Sequence, residues 1–405
     1  MKSDMNTKRV IDCVGCSHSS SDNLYLSPLL NSSKVSLLTV LLLYGRFVTS
    51  DHRYTLIAFA FSIILWALLL VRSYTRTMHV EVLMWLMGGT VFGQIAASVS
   101  PLASIYYVMT LPVGIAFSSG RVRSVVPRIL LLVASIWIVA RFLLFDDSFN
   151  NIFADNSQNY VSVVLMGFSS ALYLNDHLHG RRRPVVWPAL LTLTLSLLAT
   201  GRSGIIMSTA MLIVVVHQRA MNAGAVLKGV FVVALGTIMW VFLRTDIFSE
   251  ADVFVRFAQR GLRSARLRIW AEFFSEMTIR RALLGFDMNE LYWTNFFGGN
   301  PHNSYLRLWA NTGFFAIPFV LFTFTAVFRL RVQSKFLFRI FVLLLLRAFW
   351  DIVFLTGWLD FILFFFIFWA YRPIAVTAGL NVISTRSTPC TPVKGQGMKT
   401  SWRYG

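Results

Sequence analysis

The stretch YTLIAFAFSIILWALLLV, residues 54–71, carries no charge, and its only polar groups are the hydroxyls of Tyr54, Thr55 and Ser62 and the indole of Trp66. As a helix it rises about 27 Å at ~1.5 Å per residue, close to the thickness of a bilayer's hydrocarbon core. Such a run predicts a membrane-spanning helix, because in lipid every backbone polar group must be satisfied inside its own segment.

The rest of the chain repeats the pattern. Over 405 residues it is 56% hydrophobic and 15% aromatic but only 14% charged, which excludes an ordinary soluble domain. Apolar runs predict helices at 35–50, 54–71, 80–98, 101–118, 129–145, 160–175, 185–200, 203–217, 227–243, 305–328, 336–350 and 352–371. The expected fold is therefore an all-α polytopic bundle of about twelve spans.

Orientation follows from the short loops. Arg72 and Arg76, Arg121, Arg123 and Arg128, Arg181 to Arg183, Arg219 and Lys228, and Arg329, Arg331 and Lys335 fall in alternate loops, on the side of both basic termini. Both termini are thus expected in the cytoplasm. The expected organisation is a cytoplasmic segment 1–34, helices over 35–243, a large outer loop 244–304, helices over 305–371 and a disordered basic tail 372–405. The polar start lacks the apolar core and cleavage site of a secretory signal.

The net charge of +19 matches this pattern and implies contact with anionic lipid head groups rather than nucleic acid. Cys13, Cys16 and His18 supply three possible zinc ligands where a structural site needs four, so no metal is expected there. Asp146, Asp147 and Asp155, in an outer loop, are the competing candidates for a divalent ion.

The outer loop breaks the charge rule. It holds Arg244, Arg256, Arg260, Arg263, Arg266, Arg268, Arg280 and Arg281, and VFVRFAQRGLRSARLRIWAEFFSEM within it predicts an amphipathic helix with Ile269, Trp270, Phe273 and Met277 on its apolar stripe. Such a helix can rest its arginines on lipid phosphates or present them to a diphosphate. Arg46, Arg141, Arg202 and Arg347 favour the second use, since each sits near the outer end of an apolar helix. A charge at that depth must be paired or must line a cavity. Asp351, one turn from Arg347, offers that residue a local ion pair, while Arg202 in ATGRSG has no acidic neighbour in sequence. Guanidinium suits a phosphate ester through its planar fork of donors.

Four ordered segments resemble the O-antigen ligase and polymerase superfamily of bacterial surface-polysaccharide enzymes. They are DNSQNYVSVVLMG at 155–167, LLATGRSGIIMS at 197–208, SARLRIW at 264–270 with the LLG of RRALLGFD, and PHNSYLRLWANTGFF at 301–315. The resemblance implies a metal-independent, inverting glycosyl transfer without cofactor, outside the cytoplasmic membrane, from an undecaprenyl-diphosphate-linked oligosaccharide to an acceptor glycan or lipid A-core. By motif, Arg202 and Arg266 would hold the diphosphate and His302 would activate the acceptor hydroxyl. Arg263 and Arg141 join the diphosphate candidates on charge and position alone. Asn303 and Tyr305 are candidates for acceptor contact or local support.

A histidine titrating near neutral pH suits removal of a proton from an attacking hydroxyl. The same stretch also has a structural use, because Asn303 or Ser304 can cap the following helix. Repeat-unit polymerisation is the expected activity and ligation to lipid A-core the alternative, with a flippase and chain-length regulators as possible partners. A transporter of lipid-linked glycan is the non-enzymatic alternative, although transporter folds usually show repeated halves, and none is evident here.

Overall fold

The computed structural model describes residues 31–71, 75–99, 102–144, 152–153, 159–181, 183–199, 201–220, 265–296, 299–352, 354–355 and 357–372. Among these the chain is all-helical. The elements are α1 (Ser32–Thr49), α2 (His52–Val71), α3 (Thr77–Ala97), α4 (Leu102–Ser118), α5 (Val125–Leu144), α6 (Asn159–Leu178), α7 (Trp187–Leu198), α8 (Arg202–Ala220), α9 (Ala265–Ser275), α10 (Ile279–Leu284), α11 (Tyr292–Phe296), α12 (Ser304–Thr312), α13 (Ala316–Gln333), α14 (Lys335–Trp350) and α15 (Asp360–Ala370).

Five stretches, His52–Val71, Thr77–Ala97, Val125–Leu144, Ser203–Ala220 and Ser304–Gln333, are long and apolar enough to cross a membrane. The apolar side chains of several turn outward: Leu56, Ile95, Ile136, Leu144 and Phe328 are all exposed. An exterior with this many exposed large apolar side chains fits lipid rather than water around it.

Inside that ring stand α6 and α15. Every residue of α6 from Tyr160 to Asp176 is buried, as is every residue of α15. The two helices differ in how they pack. The α15 helix is a column of phenylalanines, with Phe361 against Phe117 and Phe168, Phe364 against Phe319 and Phe366 stacked on Phe341. The α6 helix adds buried hydroxyls to its apolar contacts, Ser169 pairing with Thr192 at 2.9 Å.

One predicted span is interrupted by a turn and another is shortened. The run 305–328 is one apolar stretch in sequence but bends at Gly313, where a 3₁₀ turn over Gly313–Phe315 joins α12 to α13. Gly313 takes φ +53°, and a Cβ there would lie 2.3 Å from the Leu283 carbonyl oxygen. The run 352–371 is helical only from Asp360. The predicted helix 227–243, residues 244–264 of the loop, and the greater part of both terminal segments lie outside the described residues. So do Arg263, Cys13, Cys16, His18, Asp146, Asp147 and Asp155.

The described part of the loop folds as a small helical cap. Ile269 and Phe273 of the predicted apolar stripe are buried, and Phe273 packs with Phe286, Met288, Leu291 and Ala310. The Glu272 carboxylate accepts the Tyr292 and Trp293 amides at 2.7 and 2.9 Å, tying α9 to the start of α11. Arg280 donates to the Ala96 carbonyl at 3.0 Å, fastening the cap to the end of α3. The cap thus marks the loop end of the bundle.

Candidate functional site

Arg347 organises the loop end. It lies in the last turn of α14 with 0% of its side chain exposed, and Asp351 pairs with it at 2.5 Å. The local ion pair expected from sequence is present, but it is one contact of several. One guanidinium nitrogen donates to Ser203 Oγ at 3.1 Å, and the other donates to the Asn159 carbonyl at 3.0 Å and Ser162 Oγ at 3.2 Å. A single buried cation thus joins the start of α6, the start of α8 and the end of α14, positions up to 188 residues apart. Buried charge is tolerated only with this kind of partnering.

The Arg-Ser-Gly turn is pressed against α6. A Cβ on Gly204 would fall 2.3 Å from Ser162 Oγ, so only glycine allows that approach. Arg202 is the first residue of α8 and is the chain neighbour of Ser203, the residue that Arg347 holds.

Residues 300–305 approach from the cap. The Asn303 side chain accepts the Tyr305 and Leu306 amides at 2.9 and 3.2 Å, making it the N-cap of α12. The Ser304 hydroxyl donates to the Asp351 carbonyl, and the Tyr305 hydroxyl donates to the Leu345 carbonyl at 3.0 Å. Of the two capping candidates, Asn303 caps and Ser304 braces the Asp351 turn. Trp270 donates its indole N–H to the Pro301 carbonyl at 3.2 Å and sets its ring edge on Phe349. The third and fourth motif segments are thereby locked together and onto α14.

His302 sits between these anchors with φ +51°, in the left-handed region, and its amide donates to Asn300 Oδ1 at 2.8 Å. A non-glycine residue held there carries backbone strain, a feature that clusters at functional positions. Its ring is half-buried. Burial and then the positive charge of Arg266 lower its pKa, with Asp351 opposing. The imidazole is therefore neutral at pH 7 and able to take a proton.

Arg266, on α9, is also half-buried, and its guanidinium interacts electrostatically with Asp351, Arg347 and Tyr160. Burial lowers its pKa, yet an arginine starts so high that it remains charged. Two further residues belong here that sequence analysis does not single out. Asn300 hydrogen-bonds the Tyr160 side chain, and Arg307, one turn into α12, acts electrostatically on Tyr106, Tyr107 and Tyr160. Arg46, at the end of α1, also reaches Tyr106. Arg141 lies on α5 with its guanidinium 5.7 Å from the Trp137 ring centre, a cation–π contact within its own helix.

The loop end thus gathers Arg46, Arg266, Arg307 and Arg347 around tyrosines, with Asp351 as the acid that pairs Arg347 and reaches Arg266. Such a surplus of guanidinium in a half-buried setting suits a multiply charged anion. Compared with known proteins, the chain matches no family model and no curated sequence. The family resemblance rests on its motifs alone.

Proposed function

We propose that the chain is a multi-pass membrane glycosyltransferase that moves a glycan from an undecaprenyl-diphosphate carrier to an acceptor sugar hydroxyl. In this proposal it crosses the bacterial cytoplasmic membrane about twelve times, with both termini in the cytoplasm and the loop end facing the periplasm. The observation that carries the reading is the convergence of four segments far apart in sequence, at 159–162, 201–204, 266–270 and 300–305, on the buried Arg347–Asp351 pair.

The chemistry needs two things at once. The leaving diphosphate gains negative charge as the anomeric C–O bond breaks, and fixed cations there stabilise it most in the transition state. The attacking hydroxyl must lose its proton on the opposite face of the sugar, which gives inversion. Arg266 and Arg202 take the first task. His302, kept neutral by burial and by Arg266, takes the second.

Arg347 has a supporting part, since its two terminal nitrogens are engaged by Ser203, Asn159, Ser162 and Asp351. Asn303 likewise shapes the backbone under His302. Tyr305, bonded to the Leu345 carbonyl, supports the helix that follows.

Repeat-unit polymerisation is the form of the reaction we favour, and ligation to lipid A-core would draw on the same donor site. A deletion strain of the native host, complemented with the gene or with His302→Gln, tests both. Surface glycans separated by size collapse to single repeat units if the enzyme polymerises, and long carrier-linked chains accumulate if it ligates. Full complementation by His302→Gln would remove the general-base role, and an unchanged glycan pattern on deletion would remove the transferase reading.

A further inference from the structure

A cavity of about 170 Å³ opens at the other end of the bundle, where α3 begins and α4 and α15 end. Arg76, His79, Ser118, Ser119, Phe368 and Arg372 line it. Its volume is far above the roughly 10–15 Å³ that admits a single water. The glycosyl-transfer site uses none of these residues.

The lining is cationic on more than one count. Arg76 precedes the first turn of α3, whose N-terminal amides and dipole favour an anion. Arg372 follows α15 and lines the same cavity as Arg76, and burial together with the charge of Arg76 lowers its pKa. Among the described residues neither forms an ion pair with a carboxylate, whereas Asp176 at this same end takes Arg128 and Arg181.

His79 adds a third donor. It is 4% exposed, and its Nδ1 accepts the Arg76 amide at 3.1 Å, so the neutral ring carries its proton on Nε2. The ring is held edge-on to Phe368 at 4.4 Å. The Ser118 and Ser119 hydroxyls give their protons to carbonyls of their own helix at 3.0 and 2.8 Å, which leaves the binding to the arginines and the histidine.

Bringing two arginines together over a helix N-terminus, with a cavity between them and no carboxylate paired with either among the described residues, is unfavourable unless an anion completes the arrangement. We infer that this cavity binds a phosphate-bearing anion, gripped by Arg76 and Arg372 and oriented by His79. A lipid headgroup at the membrane rim and a free phosphate offer the same chemistry to these residues.

The test uses the full-length protein in nanodiscs, read by its thermal unfolding midpoint. The probes are phosphatidylglycerol added to phosphatidylcholine discs, and inorganic phosphate added to discs of phosphatidylcholine alone. We expect phosphatidylglycerol to raise the midpoint of the native protein and of Arg331→Gln, which removes an exposed arginine of the same basic set. The rise should shrink in Arg76→Gln and vanish in Arg76→Gln/Arg372→Gln. An arginine-dependent rise with inorganic phosphate alone upholds the site with a soluble anion as occupant. A rise equal in all variants, or none with either probe, overturns the inference. Arg76 is exposed, so the single variant decides the matter should the double variant fail to fold.

Discussion

The two ends of the bundle handle charge in opposite ways. At the loop end the cation is buried: Arg347 is 0% exposed and is held by Asp351, two serine hydroxyls and a backbone carbonyl. At the other end the acid is buried. Asp176 is 5% exposed, while its partners Arg128 and Arg181, at 3.1 and 3.6 Å, keep 31% and 47% of their side chains in the open. Rim arginines can be satisfied by water and lipid phosphates as well as by their partner, so each is replaceable. A sealed arginine depends on its partners, and its loss leaves Asp351 buried without its ion pair.

The sharpest break of this contrast is Arg347→Ala, expected to cost about 3–5 kcal/mol because it strands a buried carboxylate. Membrane-resident protein and its unfolding midpoint should both fall, and wild-type values would show that the pair does not hold the three helix ends. His302→Gln should leave the midpoint near wild type but reduce transfer by about 10²–10⁴-fold, the usual weight of a general base. That outcome separates chemistry from scaffold at the same end of the molecule. If the proposed diphosphate site is right, Arg266→Ala should remove charge-assisted contacts worth about 2–5 kcal/mol, read as lost product at normal protein level.

A gentler variant tests the electrostatics between these two residues. His302 has a lowered pKa, so the acid limb of transfer should fall below the ordinary histidine value of about 6.5. Removing the positive neighbour favours the protonated ring, and Arg266→Gln should therefore move the His302 titration upward, as histidine-selective NMR would detect. Folding linkage runs in the same sense: a lowered histidine pKa contributes stability above the unfolded value that is lost as pH falls towards and below the folded value. The smallest effect is expected from Arg128→Gln, below about 1 kcal/mol, because Arg181 still faces Asp176 and solvent screens the pair. A larger loss would move Asp176 into the class of Arg347.

Helix positions were largely legible from apolar run length, since a lipid setting makes hydrophobicity and helix formation one requirement. The run at 54–71 is α2 over His52–Val71, and 336–350 is α14 over Lys335–Trp350. The break at Gly313 was not legible, because its cause is the approach of the Leu283 carbonyl from the cap, a contact between distant segments. Ile269 and Phe273 were readable as an inward stripe, and Asn303 as a cap, because both signals are local. Arg347 shows the limit most clearly. Its neighbour at i+4 was visible, but Asn159, Ser162 and Ser203 are brought to it only by the packing of α6, α8 and α14. Asn300 and Arg307 were missed for the same reason, their partners being tyrosines on other helices.

The enclosure of α6 bears on how the protein meets bilayers of different thickness. A span in contact with acyl chains answers mismatch by tilting or by drawing the bilayer in around it. The outward-facing helices α2, α3 and α5 are subject to that adjustment. The α6 helix, buried from Tyr160 to Asp176, touches other helices on every side, and Asn159 and Ser162 at its head are held by Arg347. Changes in lipid chain length should therefore be absorbed by the outer ring, and the spacing of groups around Arg347 should be the same in thin and thick membranes.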